Sequence, residues 1–323
     1  MRIPPDHVYK VGIVGAGVIG GGWALHFLRL GKEVLVWDPA PDAAERLNRQ
    51  ARDVWPTLEK LGLSPEASLA NLKCVPSLEG LRETEVIQEN APEDLDRKQV
   101  LYQEFDTLIP GEVPILSSTS GFAMTDIQAH CASAARTCVG HPFNPPYLVP
   151  FVEVVGGEHS DPDVVDWVER FYTAHGKEVI KMKSEVPGFI ANRLQEALWR
   201  EALHMVANNE ATPEEIDASI KFGPGLRWAI MGPCLTFHLA GGEGGIAHML
   251  DHFGPSLEAP WTRLKAPELT SDLRSRMIEG CGNMTQGRDI GDFVRERDEC
   301  LIRIMQALKD YRREREEDDG PCA

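Results

Sequence analysis

The stretch that decides the fold is VYKVGIVGAGVIGGGWALHFLRLGKEVLVWD, residues 8–38. Val8–Val14 has the apolar run of a short buried strand, and the glycine-rich turn Gly15–Gly20 follows it. A helix is predicted after the turn, with apolar side chains every four residues and an end at Gly31. The next predicted strand, Glu33–Trp37, runs into Asp38. This order of strand, turn, helix, strand and acid predicts a dinucleotide-binding unit.

Each part of this unit has a mechanical reason. Gly15 permits a tight turn, Gly17 lets a pyrophosphate approach the backbone, and Gly20 lets the helix pack on the strand. The helix N-terminus offers free N–H groups and the positive end of its dipole to the phosphates. Asp38 would accept hydrogen bonds from a ribose diol and repel a 2′-phosphate, so NAD is predicted over NADP. The expected cofactor-binding residues here are Gly15, Gly17, Val18, Ile19, Gly20 and Asp38.

Strands and helices continue to alternate after Asp38, which predicts a mostly parallel sheet. Residues 41–61 are expected to be helical, with a kink or a break at Pro56. The further predicted elements are the strands Val86–Gln88, Val113–Leu116, Thr137–Val139 and Lys177–Lys181, and the helices Asp94–Leu108, Ala123–Cys131 and Asp161–His175. Ligands of such sheets bind beyond the C-terminal ends of the strands. Glu89, Ser120 and His141 stand at such ends.

A histidine and a glutamate stand out in residues 137–155, TCVGHPFNPPYLVPFVEVV. The pattern Phe151–Val155 predicts a strand that places Glu153 on one face between apolar neighbours. A carboxylate in that setting is costly unless a polar group meets it. The nearest candidate is His141, across a proline-rich loop, and an imidazole held by a carboxylate is a usual general base. The alternative is a solvent-facing glutamate on an edge strand and a surface histidine.

The composition changes after Glu185, where Pro187 and Gly188 mark a boundary. A helix is predicted from Pro187 to about Asn208, and the remaining chain to about Arg313 has helical patterns with glycine and proline breaks. A length of 323 residues is consistent with two domains. We therefore expect a dinucleotide-binding domain over residues 1–185 and a helical domain over residues 186–323. A helical second domain needs a large buried partner surface, which predicts a homodimer.

The totals exclude several classes of protein. A formal net charge of −17 argues against nucleic acid and anionic membranes as partners, because both would be repelled. The seven cysteines are scattered without a CxxC pair, which predicts reduced thiols and no metal site. The N-terminus lacks an apolar segment typical of a secretory signal, and no stretch approaches a membrane span, so a cytoplasmic protein is expected.

Five short motifs carry a resemblance to a known family. The stretches GAGVIG, SSTSG, GHPFNPP, FVEVV and PGFIANRL resemble the 3-hydroxyacyl-CoA dehydrogenase superfamily, over nearly the whole chain. The resemblance implies an α/β fold with a Rossmann-type doubly wound sheet, followed by an all-helical domain that dimerises. It also implies that Glu89 and Lys98 line the cofactor and that Asn144 lies near the nicotinamide. The catalytic residues that it implies are Ser120, His141, Glu153 and Asn192.

These four residues have roles that fit an alcohol dehydrogenase without a metal. His141 would take the proton from a substrate hydroxyl while a hydride leaves the same carbon for NAD. Glu153 would orient the imidazole ring and stabilise its protonated form. Ser120 and Asn192 would form hydrogen bonds with the reacting oxygen.

One segment departs from the thioester enzymes of the family. Residues 222–228, FGPGLRW, contain Arg227, whose planar guanidinium suits a carboxylate that a CoA thioester lacks. The alternative for Arg227 is a surface or interface salt bridge. Residues 222–270 are most similar to the carnitine 3-dehydrogenase group of the family, which implies L-carnitine as the small-molecule substrate and 3-dehydrocarnitine as the product.

A trimethylammonium group prefers an aromatic cage, and the candidate aromatics are Phe143, Trp228, Phe237 and Trp261. Aromatic residues at such spacings are also common in plain cores. Two other functions remain open at this point. One is a sugar-acid oxidoreductase similar to gulonate 3-dehydrogenase, and the other is a non-catalytic, crystallin-like structural protein.

Overall fold

The structure is a computed structural model that describes residues 2–229, 231–253, 262, 265, 268, 270–285, 288 and 290–318. The chain divides into two compact units, Met1–Asn192 and Arg193–Ala323. The first unit contains the sheet, and the described part of the second unit is helical.

The first unit is built on one mostly parallel sheet. In the described part of the chain the sheet has eight strands in the order β3-β2-β1-β4-β5-β6-β7-β8. The strands are β1 (Lys10–Val14), β2 (Glu33–Trp37), β3 (Leu72–Cys74), β4 (Val86–Glu89), β5 (Ile115–Ser117), β6 (Thr137–Pro142), β7 (Phe151–Val155) and β8 (Glu178–Lys181). Strands β6 and β7 pair antiparallel, and the other neighbouring pairs are parallel. The predicted Rossmann-type sheet is confirmed.

Helices cover both faces of this sheet. They are α1 (Val18–Arg29), α2 (Ala43–Leu61), α3 (Leu95–Leu108), α4 (Met124–Ile127) and α5 (Pro162–Ala174). Neighbouring residues of a strand point to opposite faces. Ile87 of β4 belongs to the hydrophobic cluster that includes Tyr102 and Phe105 of α3. The next residue, Gln88, accepts a hydrogen bond from Tyr172 of α5. Helix α3 therefore covers one face and α5 the other.

The second unit confirms the predicted all-helical C-terminal part within the described residues. Its helices are α6 (Ala191–Ala207, whose first two residues belong to the first unit), α7 (Pro213–Phe222), α8 (Gly225–Trp228), α9 (Pro233–Ala240), α10 (Gly245–Phe253), α11 (Ser271–Thr285) and α12 (Ile290–Asp318). Helix α7 begins with a capping box, because Thr212 and Glu215 bind each other's backbone N–H groups. In the residues that the structure describes, no helix is both long and apolar enough to cross a membrane.

The structure differs from the sequence-based expectations in several places. Helix α2 continues past Pro56, so the predicted alternative of a break is wrong; its buried face, which includes Leu47 and Leu58, packs on both sides of the proline. The short edge strand β3 was not predicted, since three residues carry no readable alternation. Helix α4 is only one turn long. Strand β6 extends to Pro142 and so includes His141, whereas the predicted strand ended at Val139 and placed His141 just beyond its end.

Candidate active site

The glycine-rich turn has the geometry that a dinucleotide needs. Gly15 has a positive φ of 86°, and a β-carbon there would lie 2.6 Å from the Asn90 carbonyl oxygen. A β-carbon at Gly20 would lie 1.8 Å from the Gly15 oxygen, so only glycine lets α1 start so close to the turn. The space beside Gly17 is open, with no atom within 4 Å of an added β-carbon. Helix α1 thus directs its N-terminal N–H groups, including those of Val18 and Ile19, toward open space.

Asp38 stands at the end of β2 beside this turn. One of its carboxylate oxygens accepts a hydrogen bond from the Ala16 N–H at 2.7 Å, and the other accepts from the Ala40 N–H at 2.8 Å. A carboxylate has about four acceptor positions, so Asp38 retains capacity for a ribose diol. The acid lines a cavity of about 410 Å³ together with Trp37 and Cys74. These residues fit the adenosine end of a dinucleotide.

His141 and Glu153 face each other across two paired strands. The register of β6 and β7 places the two residues directly opposite, which brings side chains of the same face into contact. The distance from His141 Nδ1 to a Glu153 carboxylate oxygen is 2.9 Å, and the two residues are 4% and 0% exposed. A carboxylate only accepts hydrogen bonds, so Nδ1 carries the proton and Nε2 of the neutral ring is an acceptor. An imidazole in this tautomer can take a proton at Nε2.

The start of α6 also binds Glu153. The backbone N–H groups of Ile190 and Ala191 donate to its second carboxylate oxygen at 2.8 and 3.0 Å. They can do so because Gly188 and Phe189 have positive φ angles of 70° and 53°, which delay the helix until Ala191. Burial works against the charge of Glu153, but the hydrogen bonds from His141 and from these N–H groups lower its pKa. Glu153 therefore stays ionised beside the imidazole.

Asn192 joins the loop of Ser120 to His141. Its side-chain amide donates to the Ser120 carbonyl oxygen at 3.0 Å and approaches His141 Nε2 at 3.4 Å. Ser120 itself is exposed, after the C-terminal end of β5. The structure thus brings the four predicted residues Ser120, His141, Glu153 and Asn192 to one edge of the sheet. Their arrangement suits the removal of a proton from a hydroxyl group held at this edge.

Glu93 is a residue that the sequence analysis missed. One of its carboxylate oxygens accepts hydrogen bonds from the Thr119 hydroxyl at 2.6 Å, the Ser120 N–H at 3.0 Å and the Gly121 N–H at 3.1 Å. It therefore fixes the backbone of the loop that carries Ser120. The available signal was the polar run after β4, in which Glu93 follows Glu89 by four residues.

Glu89 and Lys98 form a buried ion pair beneath this loop. Lys98 Nζ donates to a Glu89 carboxylate oxygen at 2.8 Å. The side chain of Lys98 is 1% exposed and that of Glu89 is 0% exposed. The other carboxylate oxygen of Glu89 accepts from the Ser117 hydroxyl at 2.6 Å. Lys98 also lies 3.7 Å from Glu93. The pair therefore supports the strand ends and the Ser120 loop from within, while Glu93 reaches the surface.

The remaining predicted residues are distributed over both units. Phe143 packs edge-on against the His141 ring at 5.4 Å between centroids, and Asn144 is exposed next to it. In the second unit Arg227, Trp228 and Phe237 are exposed, and no described acidic side chain forms an ion pair with Arg227. Trp261 lies outside the described residues. In the part of the chain that the structure describes, no three His, Cys, Asp or Glu side chains are grouped to hold a metal.

Two family models match the chain. The NAD binding domain of 3-hydroxyacyl-CoA dehydrogenase matches residues 10–185, and the C-terminal domain of 3-hydroxyacyl-CoA dehydrogenase matches residues 188–273. Together they span the sheet, the glycine-rich turn and the start of the helical unit.

Individual relatives cover almost the full length. The chain is 56% identical to an L-carnitine dehydrogenase of Nocardiopsis dassonvillei, over 97% of this chain and 95% of the relative. It is 58% identical to an L-carnitine dehydrogenase of Streptomyces griseus, over 97% of this chain and 94% of the relative. A solved structure of the NAD⁺-dependent 5-formyl-3-hydroxy-2-methylpyridine 4-carboxylic acid 5-dehydrogenase superposes with a TM-score of 0.80 at 25% identity, over 94% and 99% of the two chains.

Proposed function

The chain belongs to the 3-hydroxyacyl-CoA dehydrogenase family and carries its NAD-binding domain, and from this premise we propose that it oxidises the 3-hydroxyl group of L-carnitine to a ketone. Bound NAD supplies the hydride acceptor. The names of the relatives that share more than half of its residues support L-carnitine as the substrate.

The proposed proton transfer rests on the buried dyad. His141 Nε2 accepts the proton of the substrate hydroxyl. At the same time the carbon that bears this hydroxyl transfers its hydride to NAD, and the carbonyl forms. Glu153 accepts from Nδ1 and stabilises the imidazolium, which later releases the proton to solvent. Ser120 and Asn192 hold the reacting oxygen near Nε2. The single observation that carries this mechanism is the 2.9 Å contact between His141 Nδ1 and the ionised, fully buried Glu153.

We propose that Arg227 and a set of aromatic residues recognise the charged ends of the substrate. Arg227 would bind the carboxylate with its planar guanidinium, since its charge has no ion-pair partner among the described residues. An aromatic set drawn from Phe143, Trp228, Phe237 and Trp261 would bind the trimethylammonium group. We also propose residues 1–185 as the cofactor domain and 186–323 as the substrate and dimerisation domain.

A homodimer is part of the proposal. Several large apolar side chains of the second unit are exposed, among them Leu194, Leu198, Trp199, Phe222 and Leu226. Leu198 and Trp199 line an apolar groove of about 630 Å³ on α6 and α7. Exposed apolar side chains grouped on one element are typical of an interface between subunits. The proposed partner is a second copy of this chain.

A substrate panel tests the proposed function. The purified protein is assayed with NAD at alkaline pH, in parallel with L-carnitine, gulonate and 3-hydroxybutyrate, by the growth of NADH absorbance. We expect kcat/KM for L-carnitine to exceed both others by at least about tenfold, the factor that 1.4 kcal/mol gives. Gulonate and 3-hydroxybutyrate both lack the trimethylammonium group of L-carnitine. The comparison with each therefore measures what recognition of this positive charge contributes. Faster turnover of either would reject L-carnitine as the substrate.

A further inference from the structure

Four side chains form a chain of hydrogen bonds through the first unit, and we call them the hydrogen-bond relay. Tyr172 on α5 donates from its hydroxyl to the Gln88 side-chain oxygen at 2.5 Å. The Gln88 amide nitrogen donates to the Ser118 hydroxyl oxygen at 2.7 Å. The Ser118 hydroxyl donates to the Asn90 side-chain oxygen at 2.7 Å. Tyr172 and Gln88 are buried, and Ser118 and Asn90 are partly buried near the C-terminal edge of the sheet.

The relay uses every side-chain N–H and O–H donor of its members. The Gln88 amide nitrogen also donates to the Gly140 carbonyl oxygen at 3.3 Å. Asn90 Nδ2 donates to the carbonyl oxygens of Val14 at 3.2 Å and of Gln88 at 2.8 Å. Ser118 receives a further hydrogen bond from the indole N–H of Trp23 at 3.2 Å. One donor and two acceptor positions of the Ser118 hydroxyl are thereby filled, which fixes the direction of the whole relay.

One end of the relay forms a wall of the glycine-rich turn. A β-carbon at Gly20 would lie 3.2 Å from Asn90 Nδ2, and one at Gly15 would lie 2.6 Å from the Asn90 carbonyl oxygen. Asn90 also binds the carbonyl oxygen of Val14, the residue directly before the turn. The position of Asn90 therefore sets the position of the turn.

The other end sets the strand of His141. A β-carbon at Gly140 would lie 2.0 Å from the Tyr172 hydroxyl oxygen, so the phenol packs directly on the backbone before His141. The hydrogen bond from Gln88 to the Gly140 oxygen ties the same point to β4. The relay thus connects the glycine-rich turn with the strand of His141, the two parts of the first unit that are proposed to act on neighbouring atoms of one substrate.

We infer that Ser118 is a positioning residue that holds the glycine-rich turn at a fixed place relative to His141, through Asn90 on one side and Gln88 on the other. The inference rests on the proposed function, because it takes the turn as the NAD site and His141 as the base. Proton and hydride leave neighbouring atoms of the substrate, so base and cofactor need a fixed spacing. A misplacement of about 1 Å can cost about 10²-fold in rate.

A purely structural role for the relay makes a different prediction. It would lower the stability of the variants, while the folded protein would keep its affinity for NADH and its kinetics. The relay also contains no group that titrates near neutral pH, because burial raises the pKa of Tyr172 well above its usual value. Loss of the relay should therefore leave the shape of the pH–rate profile unchanged.

The test compares Ser118→Ala and Tyr172→Phe with a matched control, Tyr102→Phe. Tyr102 is also fully buried, but its hydroxyl takes no part in the relay. The first readout is the Kd of NADH from a fluorescence titration, which needs no substrate. We expect Ser118→Ala to raise this Kd on the order of tenfold and to lower kcat/KM for L-carnitine by up to about 10²-fold with an unchanged profile shape.

Tyr172→Phe should change both quantities in the same direction but less, since it removes only the distal hydrogen bond. Ser118→Thr, which keeps the hydroxyl, should retain most of the NADH affinity that Ser118→Ala loses. Wild-type Kd and kcat/KM in folded Ser118→Ala would overturn the inference, and so would an equal loss in Tyr102→Phe. If the wild-type protein does not oxidise L-carnitine, the proposed function fails, while the NADH affinities still decide whether Ser118 positions the turn.

Discussion

Glu153 carries a charge in a fully buried position, and its three hydrogen-bond donors explain how. His141, the Ile190 N–H and the Ala191 N–H together offset the cost of burial, so its pKa is lowered. Because the folded-state pKa lies below the unfolded value, ionised Glu153 stabilises the fold above the ordinary pKa of glutamate. This contribution is lost as the pH falls through the lowered pKa. The same acid therefore binds both His141 and the start of α6.

Glu153→Gln separates these two tasks, because the amide keeps a carbonyl oxygen but removes the charge. We expect a lower kcat, and we expect the acid limb of the pH–rate profile to move to lower pH because the imidazolium loses its anionic partner. A pH series of kcat/KM measures both effects. A profile identical to that of the wild type would show that the dyad does not act in catalysis. Glu158→Gln, at an exposed glutamate of the same unit, provides the control.

Asp38 should determine the choice of dinucleotide. In Asp38→Ser the hydrogen bonds to the ribose diol and the repulsion of a 2′-phosphate are both lost. The ratio of kcat/KM with NAD to that with NADP should fall by about 10- to 150-fold, which corresponds to roughly 1.5–3 kcal/mol for a charged hydrogen bond. Asp53→Ser, at an exposed acid on α2, should leave the ratio as it is. An unchanged ratio in Asp38→Ser would mean that another residue selects the cofactor.

Among the elements, β1, α1 and β2 could be predicted because their periodicity, glycines and terminal acid agree with one another. The C-terminal end of β6 could not be predicted from the sequence. His141-Pro142 follows a glycine, and four prolines in residues 142–150 indicate a loop. The pairing of His141 with Glu153 depends on the antiparallel register of β6 with β7, which no local pattern encodes. The delayed start of α6 likewise depends on the positive φ of Phe189, a rare conformation for an aromatic residue.

Lys177 ties the turn between α5 and β8 to the loop between β6 and β7. It donates to the carbonyl oxygens of Pro146 and Val149 and lies 4.9 Å from the centre of the Trp23 ring. Burial, with a smaller contribution from Arg29, lowers the pKa of Lys177 to about 7. Between this value and the unfolded pKa of about 10.5, the unfolded chain binds more protons, so the free energy of unfolding rises with pH.

Lys177→Met removes this dependence. The difference in unfolding free energy between wild type and variant should therefore grow in favour of the wild type from about pH 7 to pH 10, by up to about 1.4 kcal/mol per pH unit. Urea titrations at pH 7, 8, 9 and 10 measure it. Lys181→Met is the control, because ion pairs with Asp166 and Glu169 raise the pKa of that exposed lysine to about 12. If the free energies of unfolding of Lys177→Met and the wild type changed in parallel with pH, the lowered pKa of Lys177 would not contribute to stability.

At the scale of the whole molecule, the fold class and the family could be predicted because five motifs occur in the right order along the chain. The residues proposed to bind the substrate are scattered along the chain, and their spacing carries no such order. Arg227 was singled out by its chemistry alone. The hydrogen bond between Glu93 and Thr119 joins residues that are 26 positions apart in the sequence, and the hydrogen bond between Tyr172 and Gln88 joins residues that are 84 positions apart. Such separations explain why the sequence did not reveal these contacts.

Arg227→Met tests how the substrate carboxylate is recognised. We expect KM for L-carnitine to rise by about 10- to 150-fold, because a charged hydrogen-bonded contact of roughly 1.5–3 kcal/mol is lost. The Kd of NADH should stay the same. Arg303→Met, which removes an exposed arginine from α12, should change neither value. A normal KM in Arg227→Met would remove the argument that the enzyme selects a free acid.

The proposed role of His141 as the base is tested by single-turnover oxidation of L-carnitine by His141→Ala with bound NAD, compared with the wild type. The proposed mechanism has no other residue that accepts this proton. We predict a rate constant about 10²- to 10⁴-fold lower, the usual size of a general-base contribution, with an unchanged Kd for NADH. A rate within a factor of about two of the wild type would contradict the assignment of His141 as the base.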